Sequence, residues 1–237
     1  MASITILQPD PIVPPQRLAG WLADAAAATT LVDLTSEPVP TLAGCGDGII
    51  LLGGRADALD HAASPWILQV HRLLRDARAA HVPVLGICLG HQIVADCFGG
   101  EVSVGLAPQD EEGATRITLT DAGLADPVLS VLGPSPVVAQ SHHDAVTKLP
   151  PGATLLASSG CCPIQAMRLG SILTVQFHPE VTPAVAGDWA ARSGHDGNEI
   201  ASELSLFDAS LQRDGRALTT SFVEKTRPNS PRAGLVQ

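Results

Sequence analysis

Tyrosine is missing from this 237-residue chain, and only three Trp and four Phe are present. A core of any size must therefore be built from Ala, Val, Leu and Ile. Positive charge is also scarce: 14 Lys and Arg stand against 24 Asp and Glu, a formal net charge of −10. That balance argues against nucleic acid as a direct partner, because phosphate binding needs a basic surface. The one basic cluster, Arg72, Arg75 and Arg78, has the spacing of a solvated helix face. No apolar run approaches the ~18 residues of a membrane-spanning helix, and Met1–Leu7 lacks the basic-then-apolar pattern of a secretory leader. The five cysteines are an odd number in a chain too large to need disulfide staples. The expected setting is a reducing cytoplasm, with no membrane association.

What is present is a hydrophobic fraction of 45% against 16% charged residues, enough apolar side chain to favour a packed domain over disorder. Ser3–Leu7 reads as a strand, Gln16–Ala28 as an alanine-rich helix and Thr30–Leu34 as a second strand. Gly48–Leu52 is continuously apolar, the signature of a strand buried on both faces of a parallel sheet. Pro65–Ala80 repeats apolar residues at helical spacing, Val82–Ile87 is another buried strand, and a helix is expected over about 91–98. This alternation predicts an α/β fold, an open, mainly parallel twisted sheet flanked by helices. After Glu101 shorter alternating segments follow, at 115–119, 137–140, 154–158, 164–168 and 172–177, and predict some antiparallel strands. Glu199–Lys225 has partial helical periodicity, and the Pro- and Gly-containing last dozen residues read as a frayed tail. Asp110–Glu112 reads as a solvated acidic loop.

The chemistry concentrates in two short segments. Gly86-Ile87-Cys88-Leu89-Gly90 follows a buried strand and opens a helix, the strand–nucleophile–helix turn with Cys in the nucleophile position. The flanking glycines suit a strained turn that a neighbouring Cβ would obstruct. The helix N-terminus favours negative charge beside the sulfur and supplies amides for an oxyanion. Leu89 N–H is one expected donor, with Gly53–Gly54, directly after the Gly48–Leu52 strand, the source of the other. Taken singly, this motif also fits a buried structural cysteine. In Val175-Gln176-Phe177-His178-Pro179-Glu180 a strand ends at His178, and Glu180 lies two residues on, on the same side in extended geometry. A carboxylate there can orient an imidazole that serves the cysteine; His178 alone fits a capped core histidine equally well.

These segments, Gly86–Gln92 and Gln176–Thr182, resemble the two signature motifs of the class I (triad) glutamine amidotransferases. Ser141-His142-His143-Asp144-Ala145-Val146 with Leu149-Pro150 resembles the glutaminase domain of GMP synthase and its free-standing relatives, and Gly48–Gly54 the oxyanion-loop strand. The resemblance covers about residues 3–190. It implies a flavodoxin-like domain over residues 1–190; the periodicity beyond it makes 191–237 an expected helical extension and tail. It implies a hydrolase or transferase in which Cys88 attacks the amide of glutamine to form a γ-glutamyl thioester, His178 exchanges the protons and Glu180 orients the ring. It assigns the oxyanion donors to Gly54 and Leu89, and substrate contacts to Gly53, Gln92, Ser141, His142, His143 and Asp144. No cofactor is implied. Two positions depart from the pattern: Arg55 where many relatives have Pro, and His143 where GMP synthase-type relatives have Gly. Nothing resembles an ATP-pyrophosphatase module or a phosphate-cradling loop, so the expected partner is a separate ammonia-accepting synthetase. The alternatives are a stand-alone hydrolase of γ-glutamyl amides or peptides, and a non-catalytic binding or regulatory subunit. His142–His143 and Cys161–Cys162 have no metal-ligand spacing, since neighbours on a strand point to opposite faces, and no metal is expected there.

Overall fold

A computed structural model describes residues 1–105 and 110–227. The expected frayed tail, from Pro228 on, lies outside the described residues. The first half of the chain runs β1 (Ala2–Gln8), α1 (Arg17–Asp24), β2 (Ala27–Asp33), β3 (Gly48–Leu51), α2 (Trp66–Ala79), β4 (Val84–Ile87) and α3 (Leu89–Cys97). The second runs β5 (Glu101–Ser103), β6 (Glu111–Arg116), β7 (Thr118–Leu119), α4 (Asp121–Ala125), β8 (Val137–His142), β9 (Ala145–Lys148), β10 (Thr154–Ser158), β11 (Ala166–Leu169), β12 (Ile172–Val175), α5 (Pro183–Arg192) and α6 (Gly197–Thr226).

Eight strands form one sheet in the order β2-β1-β3-β4-β12-β11-β10-β7. The first five are parallel neighbours and the last three attach antiparallel. This is the expected α/β architecture, and it follows from the continuous apolar runs: β3 and β4 are buried at every residue because helices cover both faces. Two-stranded pairs, β6 with β8 and β5 with β9, lie beside the main sheet.

Two expectations need correction. The alanine-rich stretch does not stay helical to Ala28. α1 stops at Asp24, Ala26 adopts a left-handed φ of 55°, and Ala27–Asp33 pairs in parallel with Ala2–Gln8. Helix propensity of a few tenths of a kcal/mol per alanine is outweighed by seven residues of ladder pairing. The acidic run is not a solvated loop either. Glu111 opens β6, pairs with His142 of β8, and is 9% exposed. Its carboxylate accepts from Ser159 Oγ (2.6 Å), His142 Nε2 (3.2 Å) and Gln165 Nε2. A buried charge is tolerated only with such partners, and these come from distant segments.

α6 is anchored at its start by Asp196, whose carboxylate accepts from the Asn198 and Glu199 amides. Its apolar face is part of the core: Leu218, Phe222 and Val223 pack with β1, β3 and β12 side chains such as Ile4, Ile50 and Leu173. Close approaches along its length fix small residues. A Cβ on Gly215 would sit 2.5 Å from the Pro179 carbonyl oxygen and 2.6 Å from the Trp21 ring, and one on Gly48 would sit 2.5 Å from Thr226 Cγ2. α6 thus braces the segment that follows β12.

Candidate active site

β4 and β12 are parallel neighbours at the centre of the sheet, with Ile87 opposite Val175. Their C-terminal ends release Gly86–Gly90 and Gln176–Glu180 side by side, where open α/β sheets place their sites. Cys88 has φ 50° and ψ −104°, a strained conformation for a residue with a Cβ, and its amide is tied to the Val175 carbonyl at 2.9 Å. α3 begins directly at Leu89, two residues earlier than the sequence suggests, so the helix N-terminus abuts the sulfur. The glycine requirement is visible in the packing. A Cβ on Gly86 would meet the Gly90 carbonyl oxygen at 2.8 Å, and one on Gly90 would collide with the Leu51 carbonyl oxygen.

Gly53 is the point where nucleophile and imidazole meet. A Cβ added there would lie 2.8 Å from His178 Cε1 and 3.4 Å from Cys88 Cβ. His178 is buried, with Nδ1 2.8 Å from Glu180 Oε1, which leaves Nε2 for the sulfur side. Burial works against a charged His178, but the Glu180 carboxylate, and after it the Cys88 sulfur, outweigh it and hold the ring's pKa well above its ordinary 6.5. Glu180 is fully buried, and the backbone around it is fixed by Arg17, whose amide donates to the Glu180 carbonyl (3.3 Å). The Arg17 guanidinium donates to the Val181 carbonyl (3.3 Å) and pairs with Asp208 of α6 (2.7 Å). Trp189 of α5 packs its ring edge against His178, centroids 4.9 Å apart, and donates Nε1–H to the Ile12 carbonyl at 3.2 Å.

A cavity of about 250 Å³ opens over Cys88. Gly54, Gln92, Ser141, His142, His143 and Asp144 all line it, while Gly53 is not among the lining residues and lies beside Cys88 and His178; Leu89 packs against Gly54. Their side chains do different things. Gln92 donates its amide hydrogens to the Asp144 carbonyl (3.0 Å) and to Gln176 Oε1 (3.3 Å), which leaves its own carbonyl oxygen as the free polar atom. Gln176 in turn lies 3.6 Å from Cys88 Sγ. Both ring nitrogens of His142 are already engaged: Nδ1 faces the Asp144 carbonyl (3.0 Å) and Nε2 faces Glu111 (3.2 Å). The Asp144 carboxylate accepts from the Gly105 amide at 2.7 Å. His143 is exposed at the mouth and stacks on His195, with centroids 6.3 Å apart. Arg55 is held at the rim by Asp10 (2.6 Å). Desolvation raises the pKa of Asp10, but the Arg55 guanidinium and the Ile12 amide bring it below the usual carboxylate value.

Trp189, Arg192 and Ile12 also line the cavity, and no motif in the sequence points to them. Thr182 accepting from the Val185 amide and Pro183 in the first turn do mark a helix start directly after the His178 motif. That signal could have placed a helix face over the imidazole.

The sequence matches the family model described as Glutamine amidotransferase class-I over residues 17–193. The chain belongs to this family. Among class I amidotransferase relatives, a glutamine-hydrolyzing GMP synthase component from Halobacterium salinarum, named as one subunit of that enzyme, is 34% identical over 159 residues, 66% of this chain and 79% of that protein. The glutamine-hydrolyzing GMP synthase of Aeropyrum pernix is 36% identical over 170 residues, 70% of this chain but 29% of that longer protein. The crystal structure of a glutamine amido transferase from Methylobacillus flagellatus superposes with a TM-score of 0.83 at 25% identity, covering 99% of this chain and 98% of that one. The superposition therefore includes α6, beyond the family match.

Proposed function

We propose that this class I glutamine amidotransferase releases ammonia from the side-chain amide of glutamine through a γ-glutamyl thioester on Cys88. One observation carries the reading: Cys88 stands on a strained turn at a helix N-terminus, across Gly53 from an imidazole that Glu180 holds in place. His178 takes the thiol proton as the sulfur attacks the amide carbon. The C=O π bond opens to an oxyanion, and this reading assigns its hydrogen bonds to the Gly54 and Leu89 amides. When the C–N bond breaks, the His178 proton goes to the leaving nitrogen and ammonia departs. Water then attacks the thioester with His178 as base, and the C–S bond breaks to free glutamate and the thiol. With its amide hydrogens engaged, the Gln92 carbonyl oxygen is the acceptor this reading gives to the substrate ammonium, and the Ser141–Asp144 backbone is assigned to the α-carboxylate.

The acceptor of the ammonia is, in this reading, a separate synthetase protein. Similarity to proteins named as one subunit of a GMP synthase, and to a small part of a longer GMP synthase, supports it. All five cysteines are free thiols, which supports a reducing compartment such as the cytoplasm. Among the described residues no helix is long and apolar enough to cross a membrane.

His143 and Arg55 at the mouth favour a second reading, a hydrolase of larger γ-glutamyl amides. Initial rates of ammonia or amine release from glutamine and from γ-glutamyl-amine compounds, with wild type and Cys88→Ala, separate the two. A preference for glutamine that rises when a synthetase is added, and its loss in Cys88→Ala, is the expected outcome. Equal rates for wild type and Cys88→Ala would sink the thioester route.

A further inference from the structure

Away from the cavity, three side chains from separate parts of the chain meet: His61 from the loop between β3 and α2, His71 from α2, and Asp96 from the last turn of α3. His61 Nε2 is 2.9 Å from Asp96 Oδ2, and His71 Nε2 is 3.5 Å from the same oxygen. All three atoms lie within 4.8 Å of one another. The two rings meet edge to face, with centroids 5.4 Å apart. His71 is 4% exposed, yet its Nε2 is buried with no hydrogen-bond partner. An orphaned buried nitrogen aimed at a carboxylate and a second imidazole calls for a ligand.

We propose that His61 Nε2, His71 Nε2 and Asp96 Oδ2 bind one divalent transition-metal cation, with Zn²⁺ the best match. The donor set of two imidazoles and one carboxylate suits Zn²⁺, and three protein donors leave a position for water. Donors about 2.0–2.1 Å from a tetrahedral ion stand roughly 3.3 Å apart, close to the 2.9 and 3.5 Å that separate the two imidazole nitrogens from Asp96 Oδ2. His61 and Asp96 are 34% and 23% exposed at their side chains, which gives the ion an entry path.

Among the described residues a second cluster with metal-binding residue types, Glu111, His142 and Cys162, differs in kind. There Glu111 already accepts from His142, Ser159 and Gln165, and Cys162 Sγ faces the Ile164 carbonyl at 3.7 Å. An ion at the His61 site would clamp the loop that follows Gly53–Gly54 onto α3, the helix whose first residue follows Cys88.

The test is calorimetric titration of Zn²⁺ into the chelator-treated full chain, thermal melts with and without Zn²⁺, and the visible spectrum of the Co²⁺ form. The expected result is one equivalent bound, a Tm that rises with Zn²⁺ concentration, and a Co²⁺ spectrum with d–d bands but no thiolate charge-transfer band. His61→Ala, at a half-exposed loop residue outside the cavity, should weaken binding at least tenfold while leaving the metal-free Tm near wild type. Asp96→Asn should do the same to binding. No binding, unchanged binding in both variants, or a thiolate band placing the ion on a cysteine overturns the proposal.

Discussion

Gly53 shows how finely the site is set at the scale of a residue. It has no positive φ to protect, so alanine fits its backbone, yet the added methyl would press on His178 Cε1 at 2.8 Å. Displacing an imidazole by a fraction of an ångström leaves the fold intact and spoils proton transfer. Gly53→Ala is expected to lower kcat by about 10²-fold with little change in Tm; an equal loss of both would mean that Gly53 serves stability instead. Cys88, His178 and Glu180 are legible in the sequence because each motif is local: a strand end, a glycine turn, a proline stop. Glu111, His61 and Trp189 are not. Their partners lie 31, 35 and 177 positions away, and only strand pairing and helix packing bring them together.

At the scale of elements, the buried strands and α2 lie close to the limits their sequences suggest, because long apolar runs and helical spacing are strong signals. The α1–β2 boundary is hidden because alanine suits a helix whether or not a strand ladder claims it. α6 is legible as a helix but not as a core element: its periodicity does not reveal that Phe222 packs among Ile4, Ile50 and Leu173. Phe222→Ala should cost about 3–5 kcal/mol, measured by urea denaturation. A cost under about 1 kcal/mol would contradict the packing of α6 on the sheet. Because α6 also holds Asp208 against Arg17, which fixes the backbone at Glu180 and Val181, its docking supports the triad.

For the whole molecule, buried titrating groups set a pH window. Burial above all holds His91 at about 3, so as pH falls below 6.5 the unfolded chain takes up the proton first and stability drains away towards pH 3. His178 has the opposite sign. Its raised pKa contributes stability that is complete below its unfolded value and is lost as pH rises through the folded value. Melting temperature against pH should therefore decline on both sides, and His91→Gln should flatten the acid limb; an unchanged limb would remove His91 from that role. The proposed chemistry rests above all on Cys88 being the atom that attacks a glutamine carbonyl within this cavity. Incubating the full chain with a diazo-ketone analogue of glutamine, followed by peptide mass spectrometry, tests this directly. One adduct per chain on Cys88, slowed by free glutamine and greatly slowed in His178→Ala, is the predicted result; an unmodified Cys88, or labelling spread over Cys45 and Cys161 at the same rate, would contradict it.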